Sequence, residues 1–170
     1  LVSTGKDVTE NKIMEEKLKA SEERYRSLYE TSRDAIMMLD PDKGFFAGNQ
    51  ATIELFGCVD ENDFTTKTPA TLSPEFQQDG TRSEKKAQAM IHAALKNGSH
   101  FFEWTHQKTD GTIFPATVLL SRLELNGKKC LQATVRDVTE IKQYEDNLIE
   151  YVKRMKYAQH LAHTGDWEWI

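Results

Sequence analysis

Residues 99–140 read SHFFEWTHQKTDGTIFPATVLLSRLELNGKKCLQATVRDVTE, and this stretch decides the fold. Asp110-Gly111 and Asn126-Gly127, two dipeptides that favour tight hairpin turns, divide it into three strand-like runs. Three consecutive strands joined in this way predict an antiparallel meander. Alternation along the strands places one set of side chains on a shared buried face. That set is Phe102, Trp104, His106, Ala116, Val118, Leu120, Leu131, Ala133 and Val135.

Upstream of the meander the pattern predicts two more strands and two helices. An apolar run at Ala35–Leu39 is followed by turn residues and by a second short apolar run at Phe45–Ala47. Asn49 is a good N-cap and Gly57 a good stop for a first short helix. The pair Thr81 and Glu84 has the spacing of a capping box, so we expect a second helix there that ends at Gly98.

This order of elements predicts an α+β fold. Two strands, a helical region and three strands make a five-stranded antiparallel sheet with helices on one face. Long helices with a coiled-coil type of pattern precede and follow it, and their starts are marked by an internal repeat. The segment 7–12, DVTENK, recurs at 137–142 as DVTEIK. An Asp with a Glu three residues later predicts a capped strand-to-helix junction at both places, although any single copy of this pattern can cap an unrelated helix.

Both flanking helices carry an apolar stripe. In the second helix the stripe has the alternating spacing of three and four that is typical of a coiled-coil seam. Its members are Ile141, Tyr144, Leu148, Tyr151, Met155, Ala158 and Ala162. The stripe of the first helix is weaker and runs through Met14, Leu18, Ser21, Tyr25 and Leu28. We expect a homodimer with these helices as its main interface, and a helix docked on its own domain remains the alternative.

Taken together, these motifs resemble the PAS family over about residues 21–140. The resemblance rests on Asp34-Ala35-Ile36, Asn49-Gln50-Ala51, Leu55-Phe56-Gly57, the segment from Asp110 to Pro115 and the segment from Arg136 to Glu140. It implies a sensory or signal-relay module without catalytic activity, and a signal junction at Asp137, Thr139 and Glu140. It also implies that Asp137 both caps the following helix and pairs with a nearby base.

The resemblance divides the chain into four parts. Residues 1–20 look like the end of a preceding PAS unit with its signal helix, and 21–137 like the sensor domain. Residues 138–163 are then the C-terminal signalling helix, and 164–170 the start of a following unit. Such a chain is expected to come from a multi-PAS bacterial signalling protein, for example a sensor histidine kinase or a diguanylate cyclase. Its partners would be the neighbouring PAS and output domains.

PAS-like domains use the space between sheet and helices either for a small ligand or for packed side chains alone, and both alternatives stay open here. The candidate pocket residues are Phe102, Trp104, His106, Val118, Leu120, Arg122 and Ala133. The cofactor is unknown. Cys58 does not match the cysteine motif of flavin-thiol photosensors, and Arg82 and Ser83 stand where haem-binding relatives place their histidine. We expect His92 to be a surface residue.

Composition and missing motifs exclude several classes of function. A net charge of −5 without a basic stripe argues against a nucleic-acid partner. Two distant cysteines predict neither a zinc site nor a disulfide framework, so no metal is expected. No apolar run approaches the roughly 20 residues of a membrane span, which favours a cytoplasmic domain whose full-length protein can still be membrane-anchored. No catalytic motif is present, so we do not expect an enzyme.

Overall fold

The computed structural model describes the backbone of residues 2–167 and the side chains of residues 7–163. Within this range the chain forms five helices and five strands. In chain order they are α1 (Val2–Thr31), β1 (Ala35–Asp40), β2 (Gly44–Gly48), α2 (Gln50–Phe56), α3 (Glu61–Phe64), α4 (Ser83–Asn97), β3 (Ser99–Gln107), β4 (Ile113–Leu125), β5 (Lys128–Asp137) and α5 (Thr139–Trp167).

The strands form one antiparallel sheet in the order β2-β1-β5-β4-β3. The last strand of the chain therefore occupies the centre of the sheet. In the register Val118 of β4 lies between Phe102 of β3 and Val135 of β5. The predicted five-stranded sheet with helices against it and a long helix at each end is confirmed.

The inner face of the sheet carries the core. Side chains alternate between buried and more exposed along β1 and along most of β4, because successive residues of a strand point to opposite faces. Val118 is 5% exposed, whereas its neighbour Leu119 is 39% exposed. The core is completed from the helical side by Ile53 and Phe56 of α2, Phe64 of α3 and Ala94 of α4.

Local capping signals explain where the short helices begin and end. The Asn49 side chain accepts a hydrogen bond from the Thr52 amide at the start of α2, and Gly57 ends that helix in a left-handed conformation with φ of 73°. The capping box expected at Thr81 is wrong. Helix α4 begins two residues later, at Ser83, and Arg82 at its N-cap makes no side-chain capping bond.

The strand-to-helix junction expected at Asp7 is also wrong. Helix α1 begins at Val2 and passes through Asp7 without a break, so the first copy of the repeat is not a strand-to-helix junction. A cap is needed only where backbone N–H groups lack a helical turn before them, and here that turn is present. Helix α5 continues to Trp167. The predicted start of a following unit, at 164–170, lies outside the residues whose side chains are described.

The face assignment in β4 predicts unequal effects of the same substitution at two adjacent positions. Val118→Glu should destabilise the domain by more than about 4 kcal/mol, because it places an unpaired carboxylate in the apolar core. Leu119→Glu on the outer face should cost about 1 kcal/mol or less. Urea unfolding followed by circular dichroism measures both. A larger loss of stability for Leu119→Glu would contradict the register described here.

Candidate functional site

A cavity of about 50 Å³ lies between the inner face of the sheet and the helical layer. Six of the seven predicted pocket residues lie in its wall, namely Phe102, Trp104, His106, Val118, Leu120 and Ala133. Met37, Phe56, Leu72, Ala87, Met90, Ile91 and Val135 are further members of the wall. The cavity therefore touches β1, three adjacent strands of the meander and both α2 and α4.

Arg122 is the exception, and its assignment to the pocket is wrong. Its side chain is exposed and absent from the cavity wall. Its guanidinium instead donates a hydrogen bond to the carbonyl of Leu95 in the last turn of α4. The last carbonyls of a helix have no partner within the helix, so a cation near its C-terminus finds both an acceptor and a favourable helix dipole.

Among the described residues that line the cavity, His106 has the one titratable side chain. It is 9% exposed, and its Nδ1 lies 3.1 Å from the carbonyl oxygen of Leu72. A carbonyl can only accept, so Nδ1 carries the hydrogen and Nε2 presents a bare lone pair. Nε2 is buried and has no hydrogen-bond partner. Burial lowers the pKa of His106 from 6.5 to about 4, although the bond to Leu72 opposes the shift, so the ring is neutral at pH 7.

Aromatic rings surround this imidazole. The Phe56 ring meets it edge to face with the centroids 5.2 Å apart, and the Phe114 ring lies at 5.7 Å. Trp104 lies 6.4 Å away, and its indole Nε1 donates to the Ser73 hydroxyl at 2.9 Å. The indole N–H is therefore satisfied, and its ring contributes apolar surface to the cavity.

The segment 68–78 contributes to the cavity wall and is hydrogen-bonded to the edge strand β3. The buried Gln77 side chain donates from Nε2 to the Thr105 carbonyl at 3.0 Å and accepts from the Thr105 amide at 2.9 Å, much as a neighbouring strand would. The Gln107 amide donates to the Leu72 carbonyl at 2.9 Å. Sequence analysis did not predict these hydrogen bonds, because Gln77 and Thr105 are about 30 residues apart and no local pattern links them.

The predicted signal junction lies at the end of β5. The Asp137 carboxylate accepts hydrogen bonds from the amide and the hydroxyl of Thr139, which fixes the turn into α5. Val138 between them is buried, and its amide donates to the Pro115 carbonyl at 3.0 Å. Glu140 lies exposed in the first turn of α5, where its charge suits the helix dipole.

Asp137 was expected to pair with a base, and this expectation is wrong. None of the ion pairs between described side chains includes Asp137. The neighbouring Arg136 instead donates to both carboxylate oxygens of Asp34 at 3.1 and 2.8 Å. These bonds hold the pKa of Asp34 below its usual value. The alternation of strand β5 explains the difference: Arg136 lies opposite Thr117 and beside Asp34, which directly precedes β1.

Asn49 is a second feature that sequence reasoning understated. It is fully buried, and its Oδ1 accepts from the Ile36 and Thr52 amides. Its Nδ2 donates to the carbonyls of Tyr29 at 2.8 Å and Asp34 at 3.1 Å. One amide therefore joins the end of α1, the start of β1 and the start of α2. The capping role was predictable, but the bond to α1 was not.

The five predicted dimer residues of α5 are all exposed in the single chain. Ile141, Tyr144, Leu148, Tyr151 and Met155 project from a helix that leaves the domain after its first turn. In α1 the stripe residues Met14, Leu18, Tyr25 and Leu28 are exposed as well. A helix docked on its own domain would have buried these side chains, so this alternative is wrong for the described part of both stripes.

The profile of the PAS domain matches residues 33–140, which is well over half of the chain. The chain belongs to the PAS domain family and is a sensory domain.

Individual relatives agree with this assignment. A methyl sulfide methyltransferase-associated sensor of Methanosarcina acetivorans is 26% identical over 129 residues, which make up 75% of this chain but 12% of that protein. The PAS domain of an HTR-like protein from Haloarcula marismortui is 26% identical with a TM-score of 0.61, and the match covers 74% of this chain and 98% of that one. A domain of a sensory box sensor histidine kinase/response regulator from Geobacter sulfurreducens shares the fold with 24% identity and a TM-score of 0.52, covering 69% and 95%.

No group of three or more potential metal-ligating side chains occurs among the described residues, and His92 lies exposed on α4. None of the described helices combines the length and apolar character needed to cross a bilayer.

The buried neutral state of His106 predicts a pH-dependent stability. Its pKa is about 4 in the folded protein and about 6.5 when unfolded, so the unfolded state binds more protons between these values. The contribution of His106 to the free energy of unfolding is complete above pH 6.5 and is lost as the pH falls towards 4. Between pH 7 and 4.5 the unfolding free energy should fall by about 2–3 kcal/mol from this group.

Urea titrations of wild type and His106→Gln across that range measure the effect, since the variant should lack this slope. His92→Gln on the exposed face of α4 is the matched control and should keep it. The lower limit of pH 4.5 stays above the range in which carboxylates such as Asp34, with its lowered pKa, lose their own contribution. The same slope in all three proteins would show that His106 is not buried in its neutral form.

Proposed function

We propose that this domain detects a small ligand in the cavity beside His106 and passes the change through β5 to dimeric flanking helices. The observation that carries the proposal is the position of the cavity. Its wall includes Ala133 and Val135, which belong to the central strand, and that strand runs directly into α5 through Val138. A change in the packing of β5 reaches the helix after three residues of chain.

The C-terminal end of β5 is held firmly enough to transmit such a change. Val138 is buried, and its amide is bonded to Pro115 of β4. The Asp137 carboxylate fixes the first turn of α5 through Thr139. A flexible tether would lack these bonds, so movement of the strand end should displace the helix with it.

Ligand-free relay is the second candidate. It is favoured by the size of the cavity, because about 50 Å³ is well below the roughly 300–1,000 Å³ of pockets for drug-sized ligands. In that case the input is a neighbouring domain acting through α1, whose end is bonded to Asn49. Native mass spectrometry and absorption spectroscopy of the purified chain separate the two, because a bound metabolite or cofactor supports the first and an empty core the second.

The full-length protein in this proposal is a cytoplasmic or membrane-anchored multi-PAS signalling protein. The domain itself performs no catalytic step, and the output domain, a kinase or cyclase, lies elsewhere in the protein. Support comes from the relatives, which are described as a sensor and as part of a sensor histidine kinase. The second copy of the DVTE motif at 137–140 marks the exit towards the next domain.

The exposed stripe of α5 predicts a homodimer that depends on it. Leu148→Glu combined with Met155→Glu should give monomers with a folded core, because it places charges in the seam. Ile149→Glu is a control at a neighbouring position that lies off the seam. Ile149 is 54% exposed, which is similar to the 62% exposure of Leu148. Light scattering reports the mass and circular dichroism the fold. Dimers that persist in the double variant would place the interface elsewhere.

The relay predicts that regulation depends on the phase of the seam. In the full-length protein, removing seven residues within Glu145–Lys156 restores the heptad and should largely preserve regulated output. Removing three or four residues should lock or scramble it. Output measured over deletions of one to eight residues gives the profile. A smooth dependence on length, without heptad periodicity, would refute the signal-helix mechanism.

A further inference from the structure

The two edges of the sheet differ in how they are protected. Strand β2 lies at one edge and β3 at the other. Strand β2 is short and has an irregular register with β1, and its Gly48 amide donates to the Glu61 side chain of α3. Strand β3 is nine residues long and regular, and its segment 99–103, SHFFE, contains neither proline nor lysine. Short, irregular or covered edges prevent further strand pairing, whereas a long regular edge permits it.

Alternate residues of β3 direct their backbone groups away from the sheet. Thr105 bonds to the Gln77 side chain, which lies outside the sheet, through both its amide and its carbonyl. In an antiparallel ladder, residues that bond to the neighbouring strand alternate with residues that do not. Three further residues of β3 therefore direct their amide and carbonyl groups outwards, namely Ser99, Phe101 and Glu103.

The outward backbone groups of these three residues are open. No other described residue forms a hydrogen bond with the outward amide or carbonyl of Phe101 or Glu103. The Phe101 side chain is 63% exposed, and Glu103 is exposed as well. The edge is occupied again from Thr105 onwards, so the open part is the segment 99–103. Such a row of unpaired N–H and C=O groups is a template for one more strand.

The open segment is complementary to itself. When two copies of it run antiparallel with Phe101 opposite Phe101, Ser99 lies opposite Glu103 and His100 lies opposite Phe102. Aromatic rings then face aromatic rings, a hydroxyl faces a carboxylate, and no like charges are opposed, all of which favour cross-strand pairing. A register centred on Glu103 would instead place two carboxylates opposite each other.

We propose that β3 pairs antiparallel with β3 of a second copy of this chain, so that the two sheets become one continuous sheet. The three open residues of each copy would form about six backbone hydrogen bonds across the new edge. The contact is small, so we expect a dissociation constant of roughly 0.1–1 mM. This surface is separate from the stripe of α5, so pairing through β3 would connect helix-linked dimers into larger clusters of sensors.

Sedimentation equilibrium and hydrogen exchange test the pairing. The double variant Leu148→Glu, Met155→Glu is the background, because it removes the helix interface. It should be largely monomeric at about 10 µM and should form dimers at about 1 mM. Between these concentrations the amides of Phe101 and Glu103 should become about two- to fivefold slower to exchange. The Trp104 amide, which is directed towards β4, should not change.

Two pairs of variants in this background separate edge pairing from other contacts. Glu103→Pro removes an outward N–H group that the domain itself does not use, so it should fold and associate at least tenfold more weakly. Glu103→Gln keeps this group and should associate normally. Phe101→Lys opposes two ammonium groups and should also weaken association at least tenfold. Leu119→Lys changes the same outer face on the interior strand β4 and should have no effect.

The absence of concentration-dependent dimers, or unchanged association in Phe101→Lys, would overturn the inference. An equal loss in Leu119→Lys would overturn it as well, because it would place the contact on the outer face of the sheet. Failure of the wider proposal gives a different result. If the double variant stays dimeric on dilution, the helix interface fails. Exchange at Phe101 in the unsubstituted chain, with and without concentration, then decides whether β3 pairs.

Discussion

The buried amide of Asn49 holds the N-terminal part of the domain together. Both of its N–H groups donate, to the carbonyls of Tyr29 and Asp34, while its oxygen accepts from amides of β1 and α2. A buried polar group with every partner in place strongly favours one arrangement, because moving any one element leaves an unpaired group in the interior. This side chain therefore ties the end of α1 to the start of the sheet.

The same residues link the two flanking helices. The Asp34 carbonyl accepts from Asn49, and the Asp34 carboxylate accepts from Arg136. Arg136 directly precedes Asp137, which fixes the start of α5. The ion pair is partly exposed, so it contributes little to stability, but it gives α1 and α5 a short path of bonds between them. In the proposed relay, an input arriving through α1 and an input arriving in the cavity act on the same end of β5.

Local signals in the sequence predicted most of the fold. Asp110-Gly111 and Asn126-Gly127 marked the hairpins, and the alternation between them gave the correct inner face, with Val118 buried and Leu119 outside. Asn49 and Gly57 marked α2. The same kind of signal misled at Asp7, because a capping pattern acts only where the preceding residues are not already helical. At Asp137 the preceding residues form β5, and the pattern does mark a helix start.

The site was predictable to a lesser degree, because its chemistry depends on contacts between distant residues. Alternation placed Trp104 and His106 on the inner face, but the partner that fixes the His106 tautomer is the Leu72 carbonyl, 34 residues away. Likewise, the carbonyl that holds Arg122 at the end of α4 is 27 residues away. Strand alternation indicates on which face of the sheet a side chain lies. It does not indicate with which distant backbone group that side chain forms a hydrogen bond.

The central claim is that the core and α5 respond as one unit, and hydrogen exchange in β5 tests it most directly. Coupling is reciprocal, so a change in the helix arrangement must alter the core as much as the core alters the helix. The account predicts that the amides of Ala133, Val135 and Val138 have altered exchange rates in the double variant Leu148→Glu, Met155→Glu. The reference for this comparison is the control variant Ile149→Glu. Loss of the dimer with unchanged exchange throughout β5 would contradict it.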